Sequence, residues 1–359
     1  MSWDLAPTNL TELAEAVHSA PRLLAVGGRT KPGLSAVDAQ KLSTRRLTGI
    51  VEYEPSEFTF TALAGTPVKQ IVAALAERGQ YLPFDPLLVE NGATLGGTVA
   101  AGLSGPGRFR FGGIRDFILG VKFVDGQGRL LRMGGKVVKN AAGFDLPKFF
   151  VGSLGRFGVL GEITFKVFPR RAFALTLKLA AKDIETAAQI LIEAGHTRWE
   201  LDALDMHPDG DVYARVAGPE PAMDAIASEI LARWPGNRLS PPDAESFWAG
   251  VREFIWASAE GVLVKAPLTP KELPALKKAS LSLKDGRLHA SAGGNVAYVS
   301  ASSNTDWSAF DRELTNLGLA AVTLRGNGSL WRGSKRPSKI DLAIKAALDP
   351  GNRFPAVEV

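Results

Sequence analysis

No cysteine occurs anywhere in this 359-residue chain. That excludes disulfides, a cysteine-ligated iron–sulfur cluster and a thiolate nucleophile within it, and it fits a reducing compartment. Histidine is scarce as well. His18, His196, His207 and His289 are the four, and no His-rich motif with carboxylates at metal spacing follows His289, so a transition metal is not expected. No run of about 18 apolar residues is present, which leaves no candidate membrane-spanning helix. The N-terminus MSWDLAPTNL lacks the basic-then-apolar pattern of a secretory signal. A cytoplasmic location is the expectation. Repeats and low-complexity segments are also missing, and no Lys/Arg-rich block carries interleaved aromatics. A pI near 9.3 is therefore not read as nucleic-acid binding.

What the chain does have is glycine, and positive charge in the same place. Gly92, Gly96, Gly97, Gly102, Gly105, Gly107, Gly112 and Gly113 cluster between apolar residues. Glycine weakens helices and strands, so such density points to positive φ or to backbone lying against a ligand. Between Ala101 and Arg170 twelve Lys/Arg stand against four Asp/Glu, a local excess of eight in a chain whose net charge is +5. Glycine with cations is the pattern of a pocket for an anionic ligand. At 359 residues the chain also exceeds the size at which one core keeps growing, so two domains are expected.

Taken in order, Leu10, Leu13, Ala14 and Val17 recur at helical spacing with Thr8 as the expected N-cap, and Pro21 ends that helix. Arg22–Val26 reads as a short strand, followed at once by GGRTKPG, residues 27–33. This loop lacks GxGxxG and GxxxxGK[ST], so it is neither a Rossmann turn nor a P-loop. Its successive N–H groups can form an anion-binding nest, with Arg29 and Lys31 adding charge. A solvated strand-to-strand turn is the plain alternative, and the loop alone does not choose. Gly49–Tyr53 and Phe58–Ala64 read as strands, the second with Phe58, Phe60, Ala62 and Ala64 on one face. A helix capped by Thr66-Pro67 and stopped by Gly79 follows. Asp125–Gly128 reads as a hairpin turn, and alternation of Ile163, Phe165 and Val167 predicts a strand buried on one side.

Pro169-Arg170-Arg171 is the expected boundary. Beyond it come an alternating strand (Phe173 to Leu179), a helix capped by Asp183, a strand over 211–217 and a helix bearing Met223, Ile226 and Ile230. Asn237–Asp243 reads as a loop. Phe247, Trp248, Phe254 and Trp256 read as a core or interface cluster rather than a cofactor stack. Trp307, Phe310 and Leu314 share a helix face, and Ser338–Leu348 is a tail helix stopped by Asp349-Pro350-Gly351.

The set GGRTKPG, TLGGTVAAG, GGIRDFILGV, KNAAGFDL, VGSLGRFGVLGEI and KAALDPGNRFP resembles the PCMH-type FAD-binding family, the vanillyl-alcohol-oxidase fold, and within it the E-subunit family of bacterial glycolate oxidases. The resemblance implies an α+β fold: a two-part FAD-binding domain (1–170), an α+β cap (171–325) and a C-terminal segment (326–359) that returns to the first domain. It implies FAD as cofactor. Val26, Gly27, Gly28, Arg29, Thr30 and Lys31 would hold the pyrophosphate. Thr94, Leu95, Gly96, Gly97 and Thr98 would run along the ribityl chain and flavin ring, and Gly102, Leu103 and Ser104 would follow beneath the pyrophosphate. Gly158, Val159 and Ile163 would meet the adenine. The family's covalent flavin link uses a His in the first loop, and none stands there, so a non-covalent flavin is implied.

Members active on 2-hydroxy acids carry a HxGDGNxH-like segment and a later Glu-His pair, which bind a metal. The matching stretch here, HASAGGNVAYV from His289, keeps one His, and no Glu-His pair follows. No metal and no catalytic base is assigned, and His207 and His289 are read as surface or core residues. Arg115, Lys139 and the Trp331-Arg332 pair are candidates for any residual chemistry; Arg115 and Lys139 suit a substrate carboxylate, with a structural pairing of Arg115 to Asp116 or Asp145 as the plainer reading. The implied function is the FAD-binding subunit of a glycolate oxidase-like complex. It would act on glycolate or D-lactate together with a D-type flavoprotein and an iron–sulfur subunit, through which membrane association could arise. Alternatives are a free-standing 2-hydroxy-acid dehydrogenase, a subunit that holds FAD without turnover and, more distantly, a MurB-type reductase.

Overall fold

The computed structural model describes residues 5–135, 146–334 and 338–356, and it is built around a five-stranded and a nine-stranded antiparallel sheet, with two two-stranded sheets beside them. Helix α1 (Leu10–Ser19) buries Leu13 and Val17. Its N-cap is Asn9 rather than Thr8: the Asn9 side chain accepts from the Glu12 amide at 2.9 Å, while Thr8 bonds the Glu12 carboxylate. Strands β1 (Leu23–Val26) and β2 (Gln40–Ser43) pair in parallel. Next come β3 (Ile50–Glu54), β4 (Thr59–Leu63) and α2 (Val68–Ala76). Phe58 is not on the strand but in a left-handed turn before it, 40% exposed. Thr66 does not cap α2, because its hydroxyl is spent on the backbone of Gly49.

The glycine-rich centre forms β5 (Gln80–Tyr81), α3 (Leu95–Ala101) and α4 (Arg108–Phe111). It continues into the hairpin β6 (Ile118–Val124) and β7 (Leu130–Gly134), then β8 (Val159–Lys166) and β9 (Phe168–Pro169). The sheet order is β3-β4-β8-β6-β7. β8 lies between β4 and β6, so it is buried on both sides and only Glu162 and Lys166 are half-exposed. That exceeds the one-sided burial its alternation implied.

The second sheet uses β10 (Ala174–Leu179), α5 (Ile184–Gly195), β11 (Ala203–Met206), β12 (Val212–Ala217), α6 (Glu220–Arg233), β13 (Gly236–Arg238) and α7 (Pro241–Arg252). β13 and the first turn of α7 replace the loop expected over Asn237–Asp243, with Ser240 as N-cap and Pro241 in the first turn. β14 (Val262–Pro267), α8 (Leu273–Ser280), β15 (Arg287–Ser291), β16 (Val296–Ala301), α9 (Ser308–Asn316), β17 (Ala320–Arg325) and β18 (Trp331–Gly333) complete it. The order is β13-β10-β12-β11-β15-β16-β14-β17-β18. Because β18 pairs with β17, the segment after residue 325 first extends this sheet before turning back.

Alternation along each strand gives the nine-stranded sheet two faces. One packs Leu204, Leu288, Val264 and Val299 against α5, α6, α8 and α9. The other turns Leu263, Val296 and Tyr298, with Phe254 and Trp256, onto the core of the first sheet around Phe60, Phe84 and Leu103. Trp248 and Trp256 are therefore core residues, and the Trp248 indole donates to Thr176 Oγ1 at 2.9 Å. Polar bridges cross the same seam: Arg215 to Asp85 at 2.6 Å, and Arg110 to Glu200 at 2.7 Å and Asp202 at 3.2 Å. The tail helix α10 (Lys339–Leu348) opens with a Ser338 capping box and returns to the first sheet. Lys345 Nζ there donates to the Arg156 carbonyl, and Arg353 to those of Gly126 and Val17.

Candidate functional site

β1 ends at Val26 and delivers the chain into Gly27–Lys31, against the turn that starts α3. The fit is too close for any side chain. A Cβ on Gly28 would sit 2.0 Å from the Gly92 carbonyl oxygen, and one on Gly27 would sit 2.1 Å from Thr94 Oγ1. Thr94 itself N-caps α3, accepting from the Gly97 amide at 3.4 Å. Arg29 takes φ +60°, a left-handed residue within the loop, as an anion-binding nest requires. Among the described residues the N–H groups of Gly27, Gly28, Thr30 and Lys31 donate to nothing in the chain.

A second wall comes from the loop before β8. Leu154 N donates to the Ala100 carbonyl at 2.9 Å and Gly152 N to that of Val99 at 3.0 Å, which stitches this loop along α3. The two walls form a cleft of about 90 Å³ that is partly open to solvent. Val26, Gly27, Gly28, Arg29, Thr30, Lys31, Thr94, Gly96, Gly97, Gly158 and Val159 all line it. The other residues singled out from the sequence do not. Leu95, Thr98 and Ile163 are buried behind the wall, and Gly102, Leu103 and Ser104 continue from α3 toward the second sheet. Ser153, Leu154 and Gly155 line the cleft without having been singled out, although the SLG within VGSLGRFGVLGEI was a usable signal.

Charge is concentrated at the loop end. Lys31 is 9% exposed, its ammonium donates to Thr30 Oγ1 at 2.8 Å, and it has no carboxylate partner among the described residues. Burial alone pushes its pKa down to about 8. Lys41, whose ammonium donates to the Val37 carbonyl at 2.6 Å, is also held below the lysine range, first by burial and then by Arg156 and Arg29. Cations crowded together in this way favour an incoming anion. Leu24, Leu34, Ala64, Ala100 and Leu160 make the rest of the cleft apolar. It thus suits a long ligand with an anionic centre and an apolar body.

The remaining candidates are dispersed. Arg115 is exposed and makes no ion pair among the described residues, and Asp116 accepts instead from the Gly113 amide. Lys139, Asp145 and most of KNAAGFDL lie outside the described residues. Arg332 is buried, bonded to both oxygens of Asp311 at 2.9 and 3.1 Å, with its guanidinium 4.5 Å from the Trp307 ring centre. That is a structural role. His289 is a core residue hydrogen-bonded through Nε2 to the buried Asp205 at 2.9 Å, which also accepts from Ser291 and the Ala292 amide. His207 is partly exposed.

Residues 4–134 match the family described as "FAD binding domain". The chain is 34% identical to the glycolate oxidase subunit GlcE of Escherichia coli (strain K12), over 83% of this chain and 88% of the relative. It is 30% identical to the glycolate oxidase subunit GlcD of Bacillus subtilis (strain 168), over 40% of this chain and 31% of the relative. In fold it is similar to an alkyldihydroxyacetonephosphate synthase, with a TM-score of 0.71 at 15% identity, covering 99% of this chain and 76% of that one.

Proposed function

This chain belongs to the PCMH-type FAD-binding family that includes glycolate oxidase subunit GlcE, a family of FAD-dependent oxidoreductases, and from that premise we propose that it is the FAD-binding subunit of a 2-hydroxy-acid-oxidising complex. Glycolate and D-lactate are the substrates in view. A D-type flavoprotein and an iron–sulfur subunit are the partners, and any cluster must come from the latter because this chain has no cysteine. When bound, FAD supplies a two-electron acceptor for the substrate C–H bond.

The observation that carries the reading is the glycine-walled loop with a buried Lys31 that pairs with no carboxylate among the described residues. Gly27 and Gly28 let backbone lie directly against the ligand, and the unspent amides with Lys31 meet the two phosphates. The apolar floor excludes water from the remainder. Gly27–Lys31 contains no histidine, which supports non-covalent binding. The change of sheet between β9 and β10 supports a division of the chain at Pro169–Arg171 into a FAD-binding unit and a cap. Among the described residues no helix is long and apolar enough to cross a membrane.

Anaerobic absorbance on the FAD-loaded chain tests the reading. Glycolate is expected to leave the oxidised flavin band intact with the chain alone and to bleach it once D-type and iron–sulfur subunits are added. Bleaching by the isolated chain would favour a free-standing dehydrogenase instead. Failure to bind FAD both alone and in the complex would overturn the reading.

A further inference from the structure

A half-buried lysine, Lys265, stands where the two sheets meet. Cross-strand register places His289 of β15, Tyr298 of β16, Lys265 of β14 and Val322 of β17 in one row. The row lies on the sheet face that packs against the segment leaving α3. Lys265 Nζ donates to the Gly102 carbonyl at 3.1 Å, and the Tyr298 hydroxyl lies 3.4 Å from that of Ser104. Gly102 directly follows Ala101, the last residue of α3 on the cleft wall. The guanidinium of Arg108, exposed at the start of α4, has no hydrogen-bond or ion-pair partner among the described residues, yet its charge reaches both Lys265 and Tyr298.

A lysine at the carboxyl end of a helix is often only a cap. Here one neutral carbonyl is all that offsets the loss of water around an ammonium with three donors. Burial first, and Arg108 second, push the Lys265 pKa down to about 8, and burial holds Tyr298 in its neutral phenol form. Two cations and a phenol O–H therefore stand together, with the Asp205 carboxylate, bonded to His289 in the same row, also acting on Tyr298.

We propose that Lys265, with Arg108 at the rim and Tyr298 beside it, is the subsite that takes the carboxylate of the 2-hydroxy acid, an inference that rests on the hydroxy-acid reading above. It replaces Arg115 in that role. The carboxylate supplies the counter-charge that Lys265 lacks, and one anchored end fixes which face of the carbinol carbon is presented.

Equilibrium dialysis of radiolabelled oxalate, an unreactive two-carbon dicarboxylate, against the FAD-loaded chain decides it. Wild type is expected to bind oxalate, Lys265→Met to lose at least ~tenfold in affinity and Lys265→Arg to keep most of it, with FAD content unchanged in all three. Equal affinity in Lys265→Met, or no oxalate bound by wild type, overturns the proposal. Should Lys265→Met not fold, the wild-type pH profile serves. The charged or titratable groups around Lys265 are Tyr298 beside it, His289 next along the row with Asp205 bonded to it, and Arg108, while β17 presents only Val322. Oxalate affinity must then fall as pH rises through about 8, and a flat profile overturns the proposal. Absence of FAD would count against the reading of the cleft alone, since oxalate binding to the apo chain still settles the subsite.

Discussion

Lys31 and Lys345 are about equally buried, at 9% and 7% exposure, but they sit in regions built on opposite terms. Lys345, on the tail helix, donates to Asp349 at 2.6 Å and to the carbonyls of Phe354, Arg156 and Pro355 at 2.8, 3.0 and 3.1 Å. Asp349 is itself buried and also accepts from the amides of Arg353 and Phe354. Lys31 has one hydroxyl. Burial lowers the pKa of both, but at Lys345 the Asp349 carboxylate opposes it, and at Lys31 nothing does. The first region is complete as a folded chain. On the proposed reading the second becomes complete only when an anion arrives, a difference that would separate a structural cation from a binding one.

Breaking the tail pair should have the largest effect. Lys345→Met strands the Asp349 carboxylate in a dry site, so the urea midpoint of the apo protein should correspond to a loss of roughly 3–5 kcal/mol. No loss would mean that Lys345 is no better satisfied than Lys31. Next, Lys31→Met should weaken FAD by roughly tenfold to a hundredfold, because charge-assisted bonds to a shielded phosphate contribute about 1.5–3 kcal/mol. The same variant should leave apo stability unchanged or higher, since it removes an unpaired buried charge. The smallest effect is in pH. Free Lys31 loses its proton through about pH 8, and the bound form must carry it, so FAD affinity should fall about tenfold between pH 7 and 9. Over that window apo stability should rise, because the unfolded chain, with lysines at their ordinary value, binds more protons.

Much of this contrast was legible in the sequence. GGRTKPG announced both the close approach and the charge, and the resemblance placed Thr94, Gly96 and Gly97 opposite it. Ser338 and the Asp349-Pro350-Gly351 stop marked the tail helix. Caps were less legible: Asn9 and Thr8 are both competent, and only three-dimensional reach decides between them. Central strands were harder still. β15 and β16 are buried on nearly every residue, so HASAGGNVAYVS shows no period of two. Lys265 was missed for the same reason, because its burial depends on β14 lying between β16 and β17, a pairing of segments far apart in the chain. Arg115 and Arg332 looked equally suitable by residue type, yet one is exposed without an ion pair among the described residues and the other belongs to Asp311.

The most direct measurement pairs two readouts on two variants: FAD affinity and urea stability for Lys31→Met and Lys345→Met beside wild type. The account requires Lys31→Met to lose FAD affinity while keeping apo stability. Lys345→Met must lose stability, with any loss of FAD following from unfolding. Wild-type FAD affinity in Lys31→Met would contradict the claim that this loop is held incomplete for the pyrophosphate.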